Sequence, residues 1–305
     1  MTKRGTIRIG ISGWTYAPWR GVFYPAKLPH RSELAYAAGH FRAIEINGTF
    51  YGLQRPESFA RWKDETPDDF VFAVKAPRYI THIRRLKDVE APVANFLASG
   101  LLRLGPKLGP ILWQFPPRMM FDHALFDAFL ALLPHDTKEA VALARRHDAW
   151  LNERDWLESE VEQPCRHAVE IRNDSFCVPE FIALLRRHDV ALVCADTVEW
   201  PRLMDLTSNF VYCRLHGSGQ LYVSGYDDKA LDRWAARVRA WADGGEPDDA
   251  DRVLEPTTKR TGRDVFVFFD NDVKVHAPAN AAALAERLDA RPRNDQASTP
   301  DRRRA

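Results

Sequence analysis

Eight short β-rich runs punctuate this chain, and helix-period segments separate most of them. The runs are "IRIGISGW" from Ile7, "AIEINGTFY" from Ala43, "FVFAVKAP" from Phe70, "PILWQFPP" from Pro110, "HAVEIRND" from His167, "ALVCADT" from Ala191, "FVYCRLHG" from Phe210 and "DVFVFFDND" from Asp264. Between them lie segments such as "SELAYAAGHF", "ESFARWKDE", "FDAFLALL", "EFIALLRRH", "LDRWAARVRAW" and "NAAALAERL", with apolar residues three and four apart. Strand and helix alternating in this way predict parallel strands joined by crossover helices. Eight such strands predict an α/β fold, a single (β/α)8 TIM barrel over about residues 5–290. Only "VEWPRLMDLTSN" separates the sixth and seventh runs, so the covering helix there is expected to be short or missing. The polar stretch 244–263 is expected to be a mobile loop. A doubly wound open sheet is the competing fold, but the glycine-rich phosphate fingerprint it usually carries after the first strand is absent.

Side chains of a barrel strand alternate between the bore and the helix layer, and the helix-facing positions must be apolar. That rule turns Ile7, Ile9 and Ile11 outward and leaves Ser12 and Trp14 inward. Ile44 and Ile46 go outward, so Glu45 and Asn47 point in; Phe70, Phe72 and Val74 go outward, so Lys75 points in. The same reading gives Gln114 on strand four, Glu170 and Arg172 on strand five, and Asp196 on strand six. It gives Arg214 and His216 on strand seven and Asp270 on strand eight. The polar inward residues fall late in every strand, at the C-terminal face where barrel enzymes build their sites. Taken singly, such a residue has a bland explanation: a structural ion pair, Glu45 with Arg172 or Glu170 with Arg214. Packing alone does not explain a whole ring of charge confined to one end. Aromatic residues gather in the same loops, among them Trp14, Tyr51, Tyr222 and Tyr226, and Trp14 and Tyr51 are expected nearest the mouth.

The net charge is +1, but the last fifteen residues carry five arginines and two aspartates. Without them the balance is 38 basic against 40 acidic residues, so the body of the chain lacks the excess of positive charge that nucleic-acid binding exploits. Residues 291–305 are Arg-rich with little to bury and are expected to be disordered. The four cysteines, Cys165, Cys177, Cys194 and Cys213, show no CxxC or metal-ligand spacing. No apolar run is long enough for a membrane span and no signal-peptide pattern opens the chain, so a cytoplasmic protein is expected.

Taken in order, "GISGWTYAPWRGVFYP", "EINGTFY", "FAVKAPRYITH", "QFPP", "VEIRNDSF", "YCRLHG" and "FFDND…HAPANA" resemble the YecE-like family, domain of unknown function 72. The resemblance runs over roughly residues 7–288 and implies a TIM barrel. Its matching positions include Glu45, Asn47, Lys75, Gln114, Glu170, Arg172, Arg214 and His216. Two positions depart from the family pattern. Asn173 stands where the family usually has His, and Asp270 stands where it usually has Asn, which adds a negative charge to the ring.

These residues fit an enzyme or binder for an anionic, hydroxyl-rich, sugar-phosphate-like small molecule. Lys75, Arg172 and Arg214 would hold phosphate or carboxylate. Glu45, Glu170, Asn47 and Gln114 would order hydroxyls, and Trp14, Tyr51, Asp196 and Asp270 are further ligand-binding candidates. Glu170 or His216, with Glu45 and Lys75 as further candidates, would move a proton in isomerase, lyase or hydrolase chemistry. Lys75 has a second role open to it as a Schiff-base amine. A neighbouring carboxylate would undo the required fall in its pKa, which ranks this role lower. No cofactor is expected. A divalent metal acting on nucleic acid, as in endonuclease-four-like barrels, is an alternative because Glu45, Glu170, Asp196, His216 and Asp270 are suitable ligand types. Three cations on the same ring compete for those carboxylates. A non-catalytic barrel that binds a ligand or a protein is the third reading.

Overall fold

The computed structural model describes residues 4–151, 153–217, 219, 221, 224–256, 262–271 and 275–292. Its strands are β1 (Ile7–Ser12), β2 (Ala43–Ile46), β3 (Val71–Lys75), β4 (Leu108–Gln114), β5 (His167–Glu170), β6 (Ala191–Asp196), β7 (Phe210–Leu215) and β8 (Asp264–Phe269). They form a closed barrel in chain order, every pairing parallel, with β8 returning to β1 through Ile7–Val265 to Ile11–Phe269. The fold is therefore the (β/α)8 barrel that the alternation of runs predicts.

Around it lie α1 (Glu33–Ala38), α2 (Gly48–Tyr51), α3 (Pro56–Asp64), α4 (Glu90–Ala98), α5 (His123–Leu132), α6 (Thr137–Ala144), α7 (Pro179–Arg187), α8 (Asp228–Ala242) and α9 (His276–Arg287). Proline opens α3 and α7, where its missing N–H is no loss, and Asp122, Asp136 and Asp227 cap α5, α6 and α8 through their carboxylates. The helix α4 escapes a search for amphipathic periods because Val93 through Ala98 are all buried, leaving too narrow a polar face. No helix lies between β6 and β7, as the length of that connection requires. Of the stretch 244–263, residues 257–261 lie outside the described residues. The part before them is pinned rather than loose: Asp205 accepts the Val253 and Leu254 amides, both at 2.9 Å, and Arg237 forks onto Asp249. Of the Arg-rich tail, residues 293–305 likewise lie outside the described residues.

Inside the bore, small residues on one wall face large ones on the other. Ala43, Ala73, Ala168, Ala191 and Ala195 come from β2, β3, β5 and β6, whereas Phe210, Tyr212, Phe266 and Phe268 come from β7 and β8. Close packing at near-crystalline density forces this complementarity. The wider apolar cluster, with Ile9, Ile44, Phe72, Trp113, Val169, Cys194, Cys213 and Val267, fills the space between barrel and helices.

Strand β6 runs in the phase opposite to expectation. Ala191, Val193 and Ala195 face the bore, and Asp196 faces the helix layer, registered with the outward Leu215. The run is apolar on both faces through Ala195, so the rule of apolar outward positions did not fix its phase. Asp196 accepts from Trp234 Nε1 at 3.1 Å and pairs with Arg202 at 3.2 Å. Trp14 is displaced too. Gly13 takes a left-handed φ of 78°, which breaks the alternation after β1, and the Trp14 ring packs edge-on against Trp62 of α3 at 5.3 Å.

Candidate functional site at the barrel mouth

The C-terminal ends of β2, β4, β5, β7 and β8 bring Glu45, Gln114, Glu170, Arg214, His216 and Asp270 together, all buried. Arg214 is the hub. Its Nε and Nη2 donate to the two oxygens of Glu45 at 3.0 and 2.8 Å, Nη1 to Glu170 Oε2 at 2.6 Å, and Nη2 also to Asp270 Oδ2 at 2.8 Å. Three carboxylates thus share one guanidinium with no water-exposed surface. Arg214 is expected from sequence to hold a ligand anion, but it is already committed to the protein's own carboxylates. Glu45 pairs with Arg214 rather than with Arg172, while Glu170 binds both arginines.

The carboxylates are densely hydrogen-bonded. Glu45 accepts from Ser12 Oγ at 3.0 Å and Tyr212 Oη at 2.6 Å besides the guanidinium. Glu170 accepts from Gln114 Nε2 at 2.9 Å and Arg172 Nε at 2.8 Å. Burial works to raise the Glu170 pKa, but Arg214, Arg172, His216 and Lys75 outweigh it and hold the carboxyl well below its ordinary range. Asp270 is treated alike: burial opposes ionisation, Arg214 and His216 favour it, and the pKa lies at about 2. A carboxyl whose pKa is held down in this way is ionised near neutrality and in that state carries no proton to donate. Asp270, the departure from the family pattern, pairs with Arg214 and lies 3.1 Å from His216 Nδ1. Asn173, the other departure, is a turn residue: its side chain accepts from Ser175 N at 3.0 Å and donates to the Pro117 carbonyl at 2.8 Å.

Lys75, at the end of β3, behaves differently. Only 8% of its surface is exposed, and among the described residues its Nζ has no hydrogen-bond or ion-pair partner. The ammonium sits 4.3 Å from the centre of the Phe50 ring. Thr49 fixes that arrangement by donating to the Lys75 carbonyl at 2.6 Å, which clamps α2 against β3. Burial pushes the amine's pKa down to about 8 and Arg214 adds to the effect, while Asp270, Glu45 and Glu170 oppose it without cancelling it. The expectation that a nearby carboxylate would undo the shift therefore fails, because the carboxylates spend their charge on Arg214. His82, edge-on to Phe50 at 5.0 Å, lies in the same field. Burial, then Lys75, Arg172 and Arg78, bring its pKa down to about 4, so it is neutral at pH 7.

Residues that sequence phase did not single out complete the site. Trp200, on the segment joining β6 to β7, packs edge-on to His216 at 5.3 Å and lies beneath the Arg172 guanidinium at 4.0 Å. It covers that side of the mouth. Beyond Phe50 opens a groove of about 620 Å³ lined by Phe50, Tyr51, Arg78, Tyr79 and Trp150 among others. Tyr51 is 75% exposed there. Arg78 has no hydrogen-bond or ion-pair partner among the described residues. Asn47 begins α2, and its Oδ1 is buried without a partner among the described residues. Tyr226 is scaffold, its hydroxyl accepting from Gly217 N at 3.1 Å; Tyr222 lies outside the described residues. Only the walls of Trp200 and the Phe50 ring give a signal in sequence, as aromatic residues in mouth loops, and that signal does not distinguish them from rim packing.

Among the described residues no group of three or more His, Cys, Asp and Glu side chains is arranged to hold a metal ion. Asp196 faces away, and the remaining acidic side chains are bound to Arg214. Among the same residues no helix is long and apolar enough to cross a membrane.

Several known proteins are similar to this chain. The UPF0759 protein YunF of Bacillus subtilis (strain 168) is 26% identical over 302 residues, covering 93% of this chain and 95% of YunF. The UPF0759 protein YecE of Escherichia coli (strain K12) is 34% identical over 110 residues, 36% of this chain and 38% of YecE's length. A DUF72 family protein of Thermotoga maritima, known from its crystal structure, superposes with a TM-score of 0.66 at 24% identity, covering 93% of this chain and 99% of that one. One from Enterococcus faecalis gives 0.63 at 19%, covering 93% and 96%. Both superpositions bear on the fold. The family profile described as "Protein of unknown function DUF72" matches residues 8–304, nearly the whole length, and the chain belongs to that family.

Proposed function

We propose that the C-terminal mouth binds a small anionic, hydroxyl-bearing molecule of the sugar-phosphate class. The observation that carries this reading is the buried Lys75 ammonium without a counter-ion partner among the described residues. Burying a charge in that state costs stability, and a protein keeps such a site where a ligand supplies the missing partner. The depressed His82, surrounded by Lys75, Arg172 and Arg78, supports an electropositive entrance. The buried Asn47 Oδ1 supports a hydroxyl donor on the ligand, and Phe50 and Tyr51 offer faces for a sugar ring. Arg214 and the three carboxylates form the rigid floor. His216, oriented by Asp270, is the group that moves a proton, with Glu170 as ionised counter-charge. A metal-dependent nuclease is the weaker reading, since a divalent ion would have to displace a guanidinium from each carboxylate it took. Titration with inorganic phosphate and sugar phosphates, followed by thermal melts, tests the proposal. A rise in Tm of several degrees in wild type that is absent in Lys75→Met supports it. Equal rises in both proteins, or none in either, refute it.

A further inference from the structure

The geometry points to Lys75 as a covalent site: its amine condenses with an aldehyde or ketone carbonyl of the bound anionic ligand to form a Schiff base. This rests on the anionic-ligand reading above and adds the carbonyl to it.

Four features of the site carry the inference. The Lys75 amine emerges from the last residue of a barrel strand, at the face where ligands of this fold bind. Its position is fixed by the Phe50 ring at 4.3 Å and by Thr49, which bonds the Lys75 carbonyl at 2.6 Å. No carboxylate oxygen among the described residues approaches Nζ within ion-pair distance, so no paired counter-ion locks the amine in its protonated form. Phe50, the ring on which the amine packs, is also one of the residues lining the 620 Å³ groove, where Arg78 stands without a hydrogen-bond or ion-pair partner among the described residues. Lys75 itself does not line the groove, so a ligand with its anionic group at Arg78 must reach past the edge of the Phe50 ring for its carbonyl to meet the amine.

The amine is also available in the reactive form. With its pKa at about 8, about a tenth of the molecules carry free amine at pH 7, against well under a thousandth for an ordinary lysine. In the condensation, the Nζ lone pair attacks the carbonyl carbon and forms the C–N bond. The C=O π pair moves to oxygen, which takes up a proton, while nitrogen loses one. Protonation of that hydroxyl and loss of water leave the iminium ion, whose N–H proton returns to solvent to give the imine, so amine and carbonyl are converted to imine and water with no oxidant or reductant. The two protons exchange through solvent in the groove.

Pyridoxal 5′-phosphate and pyridoxal, an aldehyde with and without a phosphate, distinguish the covalent step from anion recognition. Each is incubated with the full chain at pH 7 and reduced with borohydride, and the labelled lysines are mapped by peptide mass spectrometry. Exposed Lys27, Lys87 and Lys138 serve as internal references. Labelling of Lys75 by the phosphorylated aldehyde at least about tenfold faster than the references, with slower labelling by pyridoxal, is the expected result. Equal, fast labelling by both aldehydes upholds the Schiff base and removes the anion reading. Labelling of Lys75 no faster than the references overturns the inference. If inorganic phosphate then still raises the Tm of wild type but not of Lys75→Met, anion binding stands without it.

Discussion

Arg214 of β7 and Glu45 of β2 meet as a two-pronged fork across the bore, Nε on Oε2 at 3.0 Å and Nη2 on Oε1 at 2.8 Å. The strands are three apart around the ring, so this contact ties opposite walls of the barrel rather than neighbours. It also shows what the carboxylates of the mouth do for the fold: Glu45, Glu170 and Asp270 all bond one buried cation.

Breaking that fork should be costly. Glu45→Gln removes the charge and leaves the guanidinium partly uncompensated, and about 3–5 kcal/mol of stability should be lost in urea denaturation. Arg172→Met, at a side chain still 13% exposed and bound to Glu170 through one nitrogen, should cost clearly less, about 1–2 kcal/mol. Equal losses for the two substitutions would show that Arg214 is not the hub.

Acid stability should depend on Glu170 and Asp270. Both have folded-state pKa values below their unfolded ones, so the folded state binds fewer protons and their contribution is complete above the unfolded pKa. It is lost as pH falls through the folded pKa. For Asp270 the window runs from 3.8 down to about 2. Denaturant midpoints of wild type should therefore fall through this range, and the slope should flatten in Asp270→Asn. Parallel slopes in the two proteins would contradict the assignment.

Lys75 works in the opposite sense. Its folded pKa, about 8, lies below the unfolded 10.5, so charging the amine opposes folding. The cost is fully present below about 8 and disappears as pH rises through 10.5, since the unfolded chain binds more protons in between. Lys75→Met should thus be more stable than wild type at pH 7, by up to roughly 3 kcal/mol, and the advantage should vanish near pH 11. A variant that melts higher yet no longer responds to phosphate is the expected outcome. A lower Tm at pH 7 would mean that the amine has a partner in the folded protein.

Asp196→Asn should separate the outward carboxylate from the mouth. It weakens the contacts to Trp234 and Arg202, costing about 1–2 kcal/mol, and should leave any phosphate-induced rise in Tm unchanged. Loss of that response would restore Asp196 to the ligand site.

The fold and most of the ring were legible because a barrel strand must show apolar residues to its helices. Where one face of a strand was plainly apolar and the other polar, as around Glu45, Lys75 and Arg214, alternation placed the side chains correctly. It failed for Asp196 because Ala191 to Ala195 are apolar on both faces, and for Trp14 because Gly13 interrupts the period of two. The pairing of charges was not legible. Sequence places Arg172 and Arg214 alike on the inner face, and only the register across the bore makes Arg214 the residue that bonds Glu45, Glu170 and Asp270 together. The solitary state of Lys75 follows from that distribution, which no local pattern encodes.

Trp200 covers one side of the mouth from a segment without regular structure. The stretch 197–203 around it takes part in no backbone-to-backbone hydrogen bond among the described residues, because no helix or strand forms there. Swinging its indole aside gives up an edge contact with His216 and a stack on Arg172, and leaves the barrel's ladders untouched. Such an opening belongs with local fluctuations rather than with global unfolding. The gap in the helix layer thereby sets side by side a floor whose charges are locked by hydrogen bonds and a cover held by side-chain contacts.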